Sequence, residues 1–378
     1  MNPVRRPAEP AMARNTIARI HPDAIAHNLR RVRESAPDSR IMAVVKADAY
    51  GHRIDLCLPA LADADVLAVA TIEEARAIRR LGNGLPVLLL EGVADPGDLA
   101  VAAELGLELT VHHRQQVEAL AAFGRPVTPR IWLKIDSGMH RLGVEAAEAA
   151  QLHQRLLELP GVEQVNLMSH LACAEQPDHP LNARQLARFD EAVFGLDGEH
   201  CLANSAAIFN WPAIHRDWVR AGIVLYGISP MDQGCGADLD LRPAMTLTSE
   251  LLAVNHVPKG ERIGYGGRFV TPEDMLIGVA AIGYGDGYPR AIADGTPVLV
   301  NGRRCRLAGR VSMDMITIDL FGCPNAKIGD QVVLWGEALP VEEAARSAGT
   351  IPYELVCRIT RRVRYRAQAA PGMVSKVK

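Results

Sequence analysis

Between about residue 16 and residue 227, short apolar or β-branched runs alternate with Ala/Leu/Glu/Arg-rich stretches, with polar or glycine-containing loops between them. The runs Ile41–Lys46, Asp65–Ala70, Pro86–Leu90, Leu107–Val111, Arg130–Asp136, Val165–His170, His200–Asn204 and Trp218–Tyr226 are expected strands. Stretches such as Ile72–Leu81 and Glu145–Leu159 place apolar residues three and four apart among good helix formers, which predicts helices packed on those strands. Eight parallel strands with crossover helices close naturally into a TIM-type (β/α)8 barrel.

Beyond about Arg242 the pattern changes to strand after strand. The runs Thr246–Val257, Met275–Ile282, Pro297–Val300, Arg304–Leu307, Met315–Leu320 and Gln331–Trp335 are separated by Gly, Asn and Asp turns, and Asn301-Gly302 is a strong hairpin signal. One short helix is expected at Val341–Ala348. Ser229-Pro230 and the glycine-rich Gln233–Ala237 mark the change. The expected organisation is a barrel domain over residues 1–241, with an N-terminal extension at 1–15, and a mostly β-strand domain over 242–378.

Composition narrows the class. Of 378 residues, 48% are hydrophobic and 22% charged, as in an ordinary globular protein, and the formal net charge of −3 argues against nucleic acid. The basic segment Arg361-Arg362-Val363-Arg364-Tyr365-Arg366 alternates like a strand and is read as a solvated strand face. Seven scattered cysteines without a Cys-x-x-Cys pair suggest neither a disulfide framework nor zinc, and fit a reducing compartment. His112-His113 lacks spaced partners, so no metal site is expected. Arg5-Arg6 is followed by no apolar region, and no apolar run is long enough to span a membrane, so the expected location is the cytoplasm. The segment Gly283-Tyr284-Gly285-Asp286-Gly287 lies among strands and opens no helix, which makes it a loop and not a nucleotide cradle.

Barrel enzymes place their chemistry at the C-terminal ends of the strands. There the sequence offers Lys46 and Tyr50, Asp136 and Arg141, His170, Asn204-Ser205, and Arg220 with Tyr226. A strand-end lysine alone is more often a bland residue that snorkels to the mouth or sits in a polar pocket. A desolvated lysine among other cations has a depressed pKa, and its free amine then attacks aldehydes.

The segment Ala43-Val44-Val45-Lys46-Ala47-Asp48-Ala49-Tyr50-Gly51-His52 is similar to the cofactor-lysine signature of alanine racemases. The resemblance continues in family order through Trp132–Gly143, Asn204–Ala207, Arg220–Gly227, Gly264-Tyr265-Gly266, Gly283–Arg290 and Gly309–Asp314, across nearly the whole chain. It implies pyridoxal 5'-phosphate as cofactor, with Lys46 as its Schiff-base lysine. It further implies that Tyr50, Ser205, Tyr353 and the amides of Gly222 and Ile223 hold the phosphate, that Asn204 and His170 line the cofactor site, and that Arg220 faces the pyridine nitrogen. By the same resemblance Lys46 and Tyr265 are opposed bases, Tyr265 being delivered by the partner of a homodimer, with His170 and Arg220 forming a hydrogen-bond chain towards it. Arg141 and the Met313 amide match the groups for the substrate carboxylate. Lys134 matches a position often carbamylated, where it would orient Arg141; Asp314 matches a residue near the partner's active site, and Tyr284 with Arg290 the entryway. Ser312 and Ala221 stand where many relatives carry cysteine and proline, a departure bearing on packing and inhibitor sensitivity.

The expected activity is interconversion of L- and D-alanine, to supply D-alanine for peptidoglycan or to degrade alanine. Its rivals are a racemase of broader specificity, a pyridoxal-phosphate-dependent decarboxylase and a non-catalytic cofactor carrier. Arg220 and Ser312-Met313-Asp314 speak against the decarboxylase, and residues 242 to 366 against a carrier made of the barrel alone.

Overall fold

The computed structural model describes residues 15–368, so the expected extension at 1–15 lies outside the described residues except for Asn15. The chain divides into two compact units, one spanning Ile20–Ala244 and the other joining residues up to Arg19 to Met245–Arg366.

The first strand, β1 (Ile17–Ile20), pairs into the sheet of the second unit. The eight that follow build the first unit: β2 (Arg40–Val44), β3 (Val66–Val69), β4 (Val87–Leu89), β5 (Leu107–Val111), β6 (Arg130–Lys134), β7 (Gln164–Met168), β8 (His200–Cys201) and β9 (Trp218–Ala221). All are parallel, and β9 returns to β2 through Ile41 opposite Val219, so the expected barrel closes. Met42, Val44, Ala68, Leu88, Trp132, Met168 and Trp218 fill its interior. The two indoles meet edge to face at 5.6 Å. A buried indole needs a partner for its N–H. Trp132 Nε1 donates to Glu108 Oε2 at 3.0 Å and Trp218 Nε1 to Glu199 Oε2 at 2.7 Å. Each carboxylate is in turn paired with an arginine, Glu108 with Arg130 and Glu199 with Arg40.

The wall helices follow their sequence signals. Helix Ile72–Arg80 opens on a reciprocal cap, with Thr71 Oγ1 accepting from Glu74 N and the Glu74 carboxylate accepting from Thr71 N, and buries Ile72, Ala75 and Ile78 along one face. Several boundaries differ from expectation: the first barrel strand ends at Val44, short of Lys46, and the seventh spans only His200–Cys201. The eighth barrel strand ends at Ala221 because Gly222 turns the chain into a 3-10 turn, Ile223–Tyr226, and Glu145–Leu159 divides into a 3-10 turn and helix Ala149–Leu157.

The second unit contains β10 (Met245–Val257), β11 (Arg262–Ile263), β12 (Phe269–Val270), β13 (Met275–Ala280), β14 (Pro297–Val300), β15 (Arg303–Leu307), β16 (Ile316–Asp319), β17 (Gln331–Trp335) and β18 (Arg364–Ala367). Its main sheet runs β13-β16-β15-β14-β17-β10-β1-β18, with β10 pairing β13 as well. Asn301 and Gly302 take φ of 49° and 75° between β14 and β15, the positive values that an Asn-Gly hairpin turn requires. The expected helix Val341–Ala348 is present, and a second, Pro352–Cys357, follows it. The basic C-terminal segment is only partly a strand face: Arg362 instead pairs with Asp286 and Asp314. Among the described residues, no helix is long and apolar enough to cross a membrane.

Candidate active site

Lys46 follows β2 after one residue, Val45, and the backbone after it is unusual. Ala47, Asp48, Ala49 and Tyr50 take φ of 53°, 53°, 57° and 52°, a left-handed turn made entirely of residues with a Cβ. Each such residue costs roughly 1–2 kcal/mol, so the run is sustained only because its surroundings over-determine it. The amides of Gly51, His52 and Arg53 donate back to the carbonyls of Ala47, Ala49 and Asp48 at 2.8, 3.0 and 2.9 Å. Asp48 Oδ1 accepts from Ile54 N at 2.8 Å, and the buried His52 ring bonds the Tyr50 carbonyl through Nδ1 at 2.9 Å. Tyr226, buried in the 3-10 turn after β9, stacks against both Tyr50 and His52 and donates its hydroxyl to Val44 O at 3.0 Å. The turn therefore holds the Tyr50 side chain in a fixed aromatic stack.

Tyr50 reaches the end of β9. A Cβ placed on Gly222 would lie 2.7 Å from the Tyr50 hydroxyl oxygen and 3.6 Å from Ser205 Oγ, so only glycine fits between them. Gly222 N donates to Ser205 Oγ at 2.9 Å. Ser205 is the first residue of helix Ser205–Asn210, whose amides at Ala206 and Ala207 are capped by Asn204 Oδ1. Two hydroxyls and a backbone amide thus meet where the missing side chain of Gly222 permits their close approach. Ile223, fully buried, carries the next amide. Such a cradle at the seventh and eighth barrel loops fits a phosphate group.

Cations dominate the rest of the mouth. Arg220, only 6% exposed, donates to the carbonyls of Cys201, Ser169 and Leu202 and approaches His170 Nδ1 at 3.2 Å. A guanidinium carries donors only, so His170 Nδ1 accepts and the ring proton sits on Nε2. Burial, followed by the charges of Arg220, Lys134, Arg141 and Lys46, pushes the His170 pKa well below its ordinary value, so the ring is neutral. Burial and the neighbouring Arg220, Arg141 and Lys46 likewise lower Lys134 to about 8, against a smaller opposing effect of Glu91. Arg141 extends from the loop after β6. There Asp136 Oδ1 accepts from the amides of Gly138, Met139 and His140 at 2.9 to 3.1 Å. Burial opposes ionisation of Asp136, but those amides and the His140 ring hold its pKa below the usual carboxylate value.

The remaining expected residues belong to the second unit. Tyr265 opens a 3-10 turn, Tyr265–Gly267, and is 70% exposed. The loops around Tyr284 and Met313 are laced together, Tyr284 N donating to Ser312 O at 3.0 Å and Gly285 N to Met313 O at 2.8 Å. Asp286 Oδ2 accepts from Gly283 N, which fixes the glycine-rich segment as a tight loop with one 3-10 turn. Asp314 is paired with Arg362, Arg290 is exposed, and Tyr353 lies in helix Pro352–Cys357.

Comparison with known proteins decides the family. Residues 20–230 match the N-terminal domain of alanine racemases and residues 244–367 their C-terminal domain. The chain is 50% identical to the alanine racemase of Nitrosococcus oceani over 91% of its length and 97% of that protein. The chain belongs to the alanine racemase family. As a member it is an enzyme, an isomerase. The crystal structure of the biosynthetic alanine racemase from Pseudomonas aeruginosa superposes with a TM-score of 0.90 at 45% identity, covering 94% of this chain and 99% of that one. The alanine racemase of Acinetobacter baumannii gives 0.89 at 41%, covering 94% and 100%.

Within the alanine racemase barrel, the structure brings together Lys46, Lys134, Arg141, His170 and Arg220 as one charge cluster, and Tyr50, Ser205 and Gly222 as one cradle. The Asn204 side-chain oxygen serves as a helix cap. Sequence reasoning gave no role to Glu74, which bonds the amide after Lys46, or to Asp136, which folds the Arg141 loop. The Thr71-x-x-Glu74 spacing is a readable capping signature, but its reach to Ala47 is not.

Proposed function

We propose that the chain interconverts L- and D-alanine in the cytoplasm with pyridoxal 5'-phosphate, as a homodimer in which the barrel domain, residues 1–241, holds the cofactor together with Tyr353, and the other residues assigned within 242–378 serve the partner's site. The observation that carries this reading is the juxtaposition of a lysine turn, a hydroxyl-and-amide cradle and an arginine that cannot lose its proton. When bound, the cofactor supplies an aldehyde carbon that links to amines and a conjugated ring that accepts the electrons left as a proton leaves Cα. Lys46 holds the aldehyde carbon. Tyr50, Ser205, the amides of Gly222 and Ile223, and Tyr353 hold the phosphate, with Asn204 bordering it. Arg220 would face the ring nitrogen and, unable to give up a proton, would leave it unprotonated, which would favour return of the proton to Cα.

Lys46 and Tyr265 of the partner subunit stand on opposite faces of Cα and exchange its proton. His170, neutral and carrying its proton on Nε2, is poised to donate to a tyrosinate while Arg220 fixes its other nitrogen. Arg141 and the Met313 amide of the partner subunit fix the substrate carboxylate; the partner's Asp314 lies near it, and Tyr284 and Arg290 line the approach. A Lys134 pKa of about 8 leaves roughly a tenth of the amine unprotonated at pH 7. That nitrogen bonds to the carbon of CO2 with loss of a proton, giving an anion to orient Arg141. A carbamate signal from ¹³CO2 that is absent in Lys134→Met is the check.

The test is a racemase assay of purified protein on L-alanine, L-serine and L-lysine, with and without added cofactor. Cofactor-dependent turnover of alanine is expected; none in a folded, loaded sample overturns the reading, and equal turnover of serine or lysine replaces it by a broader racemase. The likeness to the Pseudomonas aeruginosa biosynthetic enzyme favours supply of D-alanine over its breakdown. Deletion of the gene is then expected to leave a requirement for D-alanine, and growth without it refutes that role.

A further inference from the structure

Glu74 touches none of the groups assigned above to cofactor or substrate, yet its carboxylate spans two barrel loops. Oε1 accepts from Ala47 N at 2.6 Å, the amide directly after Lys46 and the first of the left-handed run. Oε2 accepts from Ala70 N at 2.9 Å and Thr71 N at 3.2 Å, at the end of β3. Glu74 itself lies in the first turn of helix Ile72–Arg80, which is fixed to the barrel wall by Ile72, Ala75 and Ile78. A carboxylate bonded to backbone amides makes a strong, charge-assisted link, here from a rigid post to a strained turn.

We propose that Glu74 is a positioning residue: it holds the Lys46–Tyr50 turn left-handed and so keeps the Lys46 amine beside Lys134 and His170 and the Tyr50 hydroxyl beside Ser205 and Gly222. The inference rests on the cofactor reading above. Without the tether, Ala47 gains freedom to relax towards negative φ, and both side chains swing with it.

Thr71→Ala provides the control. It removes the hydroxyl that accepts from Glu74 N at 3.3 Å and weakens the same helix start, but leaves the Ala47 link in place. In protein freed of cofactor, Glu74→Ala is expected to speed hydrogen exchange of the Ala47 amide roughly tenfold or more relative to Thr71→Ala. It is also expected to weaken pyridoxal-phosphate binding, followed by visible absorbance, and to lower kcat, each roughly tenfold or more, since small misplacements of reacting groups are costly. Glu74→Gln keeps one carbonyl acceptor but sets its NH2 against backbone N–H donors of the other loop, and is expected to recover only part of the loss. Should Glu74→Ala not fold, Glu74→Asp, one methylene too short to span both loops, takes its place. Exchange rates and cofactor affinity equal to those of Thr71→Ala overturn the inference. A wild type that neither binds cofactor nor racemises sinks the proposed function instead, while the exchange comparison still decides the tether.

Discussion

At Gly222 a single missing methyl keeps the cradle open. Gly222→Ala forces a Cβ to within 2.7 Å of the Tyr50 hydroxyl. Overpacking of this kind costs about 1–3 kcal/mol, so cofactor affinity is expected to fall on the order of 10- to 100-fold with little change in folding. Titration of the cofactor-free protein measures it; unchanged affinity removes Gly222 from the cradle. Lys134 makes a pH prediction. Its folded pKa of about 8 lies below its unfolded 10.5, so the unfolded chain binds more protons between those values and stability rises with pH across them. Below pH 8 the penalty is fully present. Replacing Lys134 by Met in CO2-depleted buffer is expected to stabilise at pH 7, by about 1 kcal/mol after screening, with the gain fading towards pH 10.5. Denaturant unfolding at two pH values checks the sign, and a gain that grows with pH contradicts it.

At the scale of the element, the barrel floor shows how polar chemistry is buried without becoming catalytic. Trp132 and Trp218 each spend their N–H on a carboxylate that an arginine neutralises. Glu108→Ala leaves Trp132 Nε1 and the Arg130 charge without their acceptor and is expected to cost about 2–4 kcal/mol, while KM for alanine stays unchanged. A raised KM with intact stability would move this residue into the active site. The strands around that floor were legible because buried parallel strands read as apolar runs and their helices repeat at three and four. The end of β9 was less so: Val224-Leu225-Tyr226 is as apolar as a strand, and only the geometry at Gly222 diverts it into a 3-10 turn. β1 was missed as a partner of β10 and β18 because long-range pairing leaves no local signature. Among site residues, Lys46, Asp136 and Arg220 could be read from strand ends, but Glu74 and Asp136 act through backbone amides, and no spacing rule reveals which amide a carboxylate will reach.

For the whole molecule, the 70% exposure of Tyr265 is the feature the proposed dimer must explain. Mixing Lys46→Ala protomers with Tyr265→Phe protomers distinguishes the arrangements. If Tyr265 serves the partner's site, each mixed dimer holds one site with both native residues. Random mixing then restores about a quarter of wild-type activity from two inactive parents. If it serves its own chain, every site stays defective and no activity returns. In the Tyr265→Phe homodimer, Lys46 alone remains to exchange the Cα proton, so deuterium uptake from heavy water into one enantiomer is expected to outpace racemisation. Equal loss of exchange for both enantiomers would deny Tyr265 its role as a base.

The turn after Lys46 carries a stereochemical consequence. Its φ near +53° is the mirror of ordinary helical backbone, the conformation that D-residues adopt without strain. Ala47, whose side chain is exposed, is a position where a D-alanine placed by semisynthesis is expected to raise the melting temperature, and where L-valine is expected to lower it. A D-alanine that melts no higher than the native residue would mean the turn stores no such strain. If the D-residue melts higher, the chain houses, beside its proposed Schiff-base lysine, a backbone already shaped for the enantiomer it is proposed to make.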